Sequence, residues 1–334
     1  VEKNADAYDP DLAMSYNNVG AFYHKHDKHG QPEKAEEYYL AAIGIYERLV
    51  EKNADAYDPD LAMSYNNAGA FYYEQGQPEK AEKYYLAAIE IRERLVEKNA
   101  DAYEPDLATS YNNAGNFYSD HNHSKEAEKY YLTAIEIYER LVEKNADAYE
   151  QDLAMSYNNA GLFYKKQGQP DKAEKYCLAA IEIRERLVEK NADAYEPDLA
   201  KSYNNAGNFY SDHNHSKKAE KYYLDAIEIY KRLVEKNAEA YEPDLAGSYN
   251  NAGIFYSDHG QPEKAEKYYL VAIGIRERLV EKNAAAYEPY LAISCFLFSL
   301  NSKNETYLIK AYEIAKRRQD DPRCKTIVEF VESH

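Results

Sequence analysis

The chain has 334 residues, a formal net charge of −18 and a mean hydropathy of −0.82. No apolar run approaches the ~18 residues of a transmembrane helix, and the 14% aromatic content argues against disorder. The acidic balance makes nucleic acid and anionic membranes poor partners. Three cysteines without a recognisable spacing predict a reduced, cytoplasmic protein, although the start at Val1 leaves an upstream signal sequence open.

An internal repeat organises the whole sequence. The tetrapeptide VEKN is spaced by 49 residues once and then by 46 residues, beginning at Val1, Val50, Val96, Val142, Val188, Val234 and Val280. The three extra residues fall in the polar, His-rich stretch HKHDKHGQ, which predicts a loop. The units from Val96 and Val188 differ at only four of 46 positions, which indicates that a 92-residue pair was duplicated.

Each unit predicts two helices, which we call helix A and helix B. In the unit near residue 60, Pro59 marks the start of helix A, and Gly76 to Pro78 separates it from helix B. Apolar and small residues recur at spacings of three and four in both segments, as on one face of a helix. Helix B is expected to continue through LVEKNADAY as far as Tyr103 and to carry two packing stripes, which suits a stacked array.

Small and aromatic residues recur at fixed positions of every full unit. Helix A has a tyrosine, then a glycine, then a second tyrosine: Tyr16, Tyr65, Tyr111, Tyr157, Tyr203 and Tyr249; Gly20, Gly69, Gly115, Gly161, Gly207 and Gly253; Tyr23, Tyr72, Tyr118, Tyr164, Tyr210 and Tyr256. Helix B has two alanines: Ala35, Ala81, Ala127, Ala173, Ala219 and Ala265; Ala42, Ala88, Ala134, Ala180, Ala226 and Ala272. This pattern resembles the tetratricopeptide repeat. The resemblance implies an all-α solenoid of helical hairpins wound as a right-handed superhelix.

The unit departs from the ordinary tetratricopeptide repeat in length. It has 46 residues instead of about 34, and Glu93 stands where a proline usually closes helix B. The long helix B and the EPDLAxSYNNAG segment look most like the repeats of kinesin light chains and their bacterial relatives. We therefore expect a kinesin-light-chain-like array of bacterial type, with long B helices.

The domain organisation follows from the repeat boundaries. Residues 1–9 are interpreted as the remnant of a preceding helix B, and residues 10–286 as six tandem repeats of about 46 residues. Residues 287–334, where the pattern decays, are predicted to be a degenerate partial repeat and a C-terminal helical cap.

An asparagine pair recurs in the middle of every helix A, although asparagine is an indifferent helix former. In the family that the sequence resembles, these positions face the concave groove, and the second asparagine binds the backbone of an extended ligand. The resemblance therefore implies a peptide-binding ladder of Asn18, Asn67, Asn113, Asn159, Asn205 and Asn251, with Asn66, Asn112, Asn158, Asn204, Asn116 and Asn208 beside it. The alternative is that the asparagines bridge neighbouring repeats. Residues beside the ladder vary between repeats, through either recognition or neutral drift.

The sequence gives little indication of metal binding or catalysis. Histidines cluster in the predicted loops (His24, His26 and His29; His121 and His123; His213 and His215; His259), but surface loops explain them better than a metal site. Acidic pairs recur once per repeat, whereas catalytic groups are normally single, and no catalytic motif occurs. We therefore predict no enzyme activity, no cofactor and no metal site.

The predicted function is noncatalytic binding of a neutral or basic protein or peptide, by a chain that is monomeric or weakly self-associating. Two alternatives stay open. The array is a sensor or scaffold arm of a larger protein whose effector domain lies elsewhere, or it is a self-associating array.

Overall fold

The computed structural model describes residues 5–26 and 31–333, which form fifteen α-helices and no β-strand. In chain order these are α1 (Ala5–His26), α2 (Pro32–Lys52), α3 (Ala54–Glu74), α4 (Pro78–Lys98), α5 (Ala100–Asp120), α6 (Ser124–Lys144), α7 (Ala146–Lys166), α8 (Pro170–Lys190), α9 (Ala192–Asp212), α10 (Ser216–Lys236), α11 (Ala238–Asp258), α12 (Pro262–Lys282), α13 (Ala284–Ser302), α14 (Glu305–Arg317) and α15 (Pro322–Ser333). Odd-numbered helices up to α13 are A helices, and even-numbered helices up to α12 are B helices. The predicted all-α array of helical hairpins is confirmed.

The helices form two compact units, residues 1–169 and residues 170–334. Within each unit, every helix packs against the next along the chain, and successive A helices also touch, as α3 and α5 do. Each unit is thus a stack of antiparallel hairpins with nearest-neighbour contacts, the arrangement of a solenoid.

The boundary between helix B and the next helix A differs from the prediction. Helix α4 ends at Lys98, and α5 begins at Ala100, so the expectation that helix B continues to Tyr103 is wrong. Asn99 separates the two helices, because its backbone N–H donates to the Leu95 carbonyl while its side chain accepts from the Ala102 N–H. The extra length of the repeat is therefore shared by two 21-residue helices.

Helix A also begins earlier than predicted, because an asparagine caps its N-terminus. Because Asn53 caps α3, that helix begins five residues before Pro59, which consequently lies inside it. In the first repeat, residues 5–9 likewise belong to α1, whereas the sequence predicts a helix-B remnant for residues 1–9; residues 1–4 lie outside the described part of the chain.

In the core, small residues leave space into which large aromatic rings pack. Ala81 and Ala88 are fully buried in α4, and a Cβ atom on Gly69 would lie 2.8 Å from the ring of Tyr85. Across the repeat boundary, Tyr85 contacts the ring of Phe117 with centroids 5.9 Å apart. Glycine at this position of helix A thus permits the close packing of the hairpin, as the resemblance implied.

Ion pairs join the two helices of one hairpin near the repeat boundary. Arg140 of α6 pairs at 2.7 Å with Glu104 of α5, whose side chain is largely buried, and Lys144 pairs at 2.7 Å with the exposed Asp101. Equivalent pairs occur in other repeats, including Arg232 with Glu196 and Lys236 with Asp193. The additional turns of helix are therefore held by charge as well as by apolar contact.

The last three helices, α13 to α15, pack together at the C-terminal end of the second unit. Helix α14 packs on α13, and α15 packs on both. Cys295 and Cys324 are fully buried, free thiols in this region, as expected of small apolar side chains. None of the helices in the described ranges combines the length and hydropathy needed to cross a bilayer.

Candidate functional site

The first asparagine of each pair lies against the next repeat. Asn112 is 2% exposed, and its side-chain nitrogen donates to the Ser156 hydroxyl at 2.6 Å. Corresponding hydrogen bonds join Asn17 to Ser64, Asn204 to Ser248 and Ser294 to Asn250. Asn158 is also buried, and Asn66 is half-buried. At Asn17, Asn112, Asn204 and Asn250 the structure shows the bridging of neighbouring repeats that the sequence left open as the alternative.

None of the second asparagines is fully buried. Asn18 is exposed, and the others are half-buried: Asn67, Asn113, Asn159, Asn205 and Asn251. Asn113 donates to the side-chain oxygen of Asn66 at 3.1 Å, which links the A helices of two repeats. The Asn113 carbonyl oxygen is then the part of the amide left to accept a hydrogen bond from a ligand.

In the first unit, the C-terminal halves of α3, α5 and α7 enclose a cavity of about 290 Å³, which we call the A-helix cavity. It brings Asn116 and Asn159 together, and both asparagines belong to the predicted set. Its other walls include Tyr73, Leu162, Phe163, Asp120 and Lys166. Three consecutive repeats thus contribute polar groups to one concave site.

Hydrogen bonds fix the polar groups of the A-helix cavity. The Tyr131 hydroxyl donates to the Asn116 side-chain oxygen at 2.7 Å, which leaves the Asn116 NH₂ group as a donor. The Tyr73 hydroxyl donates to Asp120, and Lys166 donates to the Ser119 carbonyl at 2.8 Å. Lys166 also lies 3.4 Å from Asp120, so cation, carboxylate and phenol form one connected group.

Burial raises the pKa of the phenols at this site. For Tyr73, the hydrogen bond to Asp120 and the charge of that carboxylate add to the effect of burial. Burial is also the main reason for the raised pKa of Tyr131. Both hydroxyls are therefore neutral at physiological pH and act as fixed hydrogen-bond donors.

The second unit repeats part of this arrangement. The Tyr223 hydroxyl donates to the Asn208 side-chain oxygen at 2.7 Å, as Tyr131 does to Asn116. Asn205 on α9 and Asn251 on α11 are half-buried, as Asn113 and Asn159 are in the first unit. Tyr131 and Tyr223 were not among the predicted site residues; the signal for them was the recurring YY doublet of helix B.

The histidines of the inter-helix turns have local partners. His121, His213 and His259 follow the ends of their A helices, and each ring nitrogen Nδ1 lies 2.7–2.8 Å from a phenylalanine carbonyl four residues earlier. Their rings also pack on those phenylalanines with centroids 4.4 Å apart. The His26 side chain and all of His29 lie outside the described part of the structure. Within the part described, no group of three or more His, Cys, Asp or Glu side chains is placed to hold a metal ion.

Solved structures similar to this chain share its fold. BtubC (BKLC) from P. vanneervenii is 22% identical over 75% of this chain and 92% of its own, with a TM-score of 0.60. A chain of nearly identical tetratricopeptide-like repeats from Podosopora anserina, named after the kinesin light chain, is 15% identical over 67% of this chain and 98% of its own, with a TM-score of 0.51. The Rap conjugation gene regulator of plasmid pLS20, in complex with the Phr peptide, is 14% identical over 93% of this chain and 85% of its own, with a TM-score of 0.52.

The sequence comparison gives the same result by an independent route. No curated protein sequence matches the chain. The tetratricopeptide repeat family, however, matches residues 60–140, 152–232 and 245–283, which together are more than half of the chain. With its hairpin stack and its small-residue positions, the chain belongs to the tetratricopeptide repeat family.

Proposed function

We propose that this chain is a noncatalytic protein-interaction module that binds an extended peptide segment of a partner protein along its A helices. The A-helix cavity carries this proposal, because it joins Asn116 and Asn159 with further polar groups from three repeats. Amide groups offer a donor and an acceptor, which suit a peptide backbone whatever its side chains. Membership in the tetratricopeptide repeat family supports the interaction role, and the Rap regulator of similar fold was solved with a peptide.

The two asparagines of a pair would have different roles, one structural and one in ligand binding. The first asparagine would hold neighbouring repeats in register, as Asn112 does through Ser156. The second asparagine, half-buried in five of six repeats, would contact the ligand. The ladder would then stay rigid before the ligand arrives, which lowers the entropic cost of binding.

The charge of the chain selects the class of partner. With a net charge of −18, the chain should attract a basic peptide and bind a neutral one without repulsion. Acidic peptides should be disfavoured, and association with a basic peptide should slow as salt rises.

The experiment starts from an immobilised library of random decapeptides screened with the purified chain. The dissociation constant of the best decapeptide is then measured for the parent and for the triple variant Asn67→Ala, Asn113→Ala, Asn159→Ala, whose three positions lie in the first unit. Because each lost hydrogen bond contributes about 0.5–1.5 kcal/mol, we expect the affinity to fall about 10-fold to 1000-fold. Helicity should remain unchanged.

Asn112→Ala is the matched control, since it removes a buried amide from the same helix. It should lower the melting temperature through loss of the hydrogen bond to Ser156 and leave the decapeptide affinity unchanged. An unaltered affinity in the triple variant, or a library without any saturable binder, would refute the peptide-binding role.

A further inference from the structure

A second cavity lies in the second unit, where α10, α11 and α12 meet. Its volume is about 510 Å³, within the range of small-ligand sites, and we call it the α10–α12 pocket. Apolar walls come from Leu224 and Val271, whose side chains are 36% and 43% exposed. The phenols of Tyr249 and Tyr268 and the ammonium groups of Lys231 and Lys267 also line it.

The charge of the α10–α12 pocket differs from that of the other junctions because of one residue, Lys231. The position of Lys231 is a glutamate in the five other B helices: Glu47, Glu93, Glu139, Glu185 and Glu277. In other junctions that glutamate accepts a hydrogen bond from the tyrosine of the next helix A, as Glu185 does from Tyr203 at 2.6 Å. In the α10–α12 pocket, Tyr249 instead faces a cation, and Lys231 pairs with Glu228 at 3.3 Å.

Three junctions within single units serve as internal comparisons for the charge of this pocket. At the positions of Glu228, Lys231, Lys267 and Val271, the α8–α10 junction has three acidic residues and one lysine: Glu182, Glu185, Lys221 and Asp225. The α4–α6 junction has two acidic residues and one lysine, and the α2–α4 junction has one of each. The α10–α12 pocket has two lysines and one glutamate, so it is the net positive member of the four.

The local positive charge of the α10–α12 pocket, on a chain that is otherwise strongly acidic, favours a negatively charged ligand. An anion would meet the ammonium groups of Lys231 and Lys267 and the hydroxyl of Tyr249, and charge-assisted hydrogen bonds of this kind are strong. The exposed Leu224 and Val271 side chains would cover an apolar body attached to that anion. A simple inorganic anion would leave these apolar walls in contact with water.

From these features we propose that the α10–α12 pocket binds an organic carboxylate carrying an apolar or aromatic body. The carboxylate lies between Lys231 and Lys267, and its apolar part packs against Leu224 and Val271. The carboxylate belongs either to a small molecule or to the free C-terminus of a peptide ending in an apolar residue. Tyr249 and Asn251 are two residues apart on α11 and point to different sides of that helix, so this pocket is distinct from the asparagine ladder.

The test measures equilibrium binding of 4-phenylbutyrate to the whole chain, with 4-phenylbutylamine as the ligand of opposite charge. We expect saturable binding of one carboxylate per chain and no binding of the amine. The Lys231→Glu variant installs the residue that the other repeats carry, so it should fold, and its affinity should fall about 10-fold or more. Saturable binding that is equal for the amine, or unchanged in Lys231→Glu, overturns the proposal.

A second variant builds the site where it is absent. Glu185→Lys together with Asp225→Val copies the α10–α12 residues into the α8–α10 junction, and the stoichiometry of 4-phenylbutyrate should rise from one to two. A stoichiometry that stays at one would show that these residues do not make the site.

The source of the carboxylate is decided with an acetylated tetrapeptide ending in phenylalanine, made with a free or an amidated C-terminus. Tighter binding of the free-acid form than of 4-phenylbutyrate supports a peptide terminus, and the reverse order supports a small molecule. Equal binding of the free-acid and amidated forms counts against carboxylate recognition.

Discussion

At the scale of single residues, the contact between glycine in helix A and tyrosine in helix B sets how closely a hairpin can pack. A Cβ atom on Gly207 would lie 2.7 Å from the Tyr223 ring, which is 3% exposed. We expect Gly207→Ala to lower the free energy of unfolding by about 1–3 kcal/mol, because the added methyl group would overlap the buried ring. Chemical denaturation followed by circular dichroism measures the effect.

Gly247 gives the matched control in the neighbouring helix α11. No heavy atom lies within 4 Å of a Cβ placed there, so Gly247→Ala should stabilise the helix by up to about 1 kcal/mol. Equal changes in the two variants would mean that helix propensity, and not the tyrosine contact, governs this position.

The 92-residue period also has a counterpart at the residue scale. One buried position of helix B is a tyrosine in alternate repeats (Tyr46, Tyr138 and Tyr230) and an arginine in the others (Arg92, Arg184 and Arg276). Each arginine donates to the serine of the next helix A: Ser110, Ser202 or Ser294. Burial lowers the pKa of Arg276 to about 10. The IRERL sequence shared by these three B helices thus places a cation inside the stack.

At the scale of elements, one asparagine per repeat decides where helix B ends and helix A begins. The Asn145 side chain accepts a hydrogen bond from the Ala148 N–H at 3.3 Å. Asn145→Ala should therefore lower the free energy of unfolding by about 1 kcal/mol, whereas Asn145→Ser, which keeps a side-chain acceptor, should change it little. Thermal unfolding of the two variants makes the comparison. If both lose the same stability, the cap does not contribute as the geometry indicates.

At the scale of the whole molecule, the tyrosines couple stability to alkaline pH. Burial raises the pKa of Tyr39, Tyr46 and Tyr138 to about 12, above the ordinary value of about 10. The folded state therefore holds these protons more tightly than the unfolded state. The resulting stabilisation is complete below about pH 10 and is lost as pH rises towards about 12.

We accordingly expect cooperative loss of helicity above about pH 10, with phenolate absorbance rising in the same transition. Circular dichroism and ultraviolet absorbance followed during one titration make the test. Complete ionisation of the 37 tyrosines near pH 10 with helicity intact would contradict this linkage.

The sequence by itself determined the repeat, the alternation of two helices and the family. These features follow from local patterns, such as Gly69 and Ala81 recurring in every unit, and each repeat packs mainly on its neighbours. The sequence also singled out the asparagines of helix A, of which Asn116 and Asn159 line the A-helix cavity.

Only the tertiary structure decided the roles that depend on contacts between repeats. The Asn112 amide meets Ser156, 44 residues away, and no local pattern distinguishes it from Asn113 beside it. The helix boundary at Asn99 required a capping hydrogen bond, which propensity alone did not reveal. In the sequence, Lys231 looks like any other exposed charge. Only the structure shows that it lines a pocket together with Tyr249. Burial and hydrogen bonding, which depend on distant neighbours, separate these side chains where residue type does not.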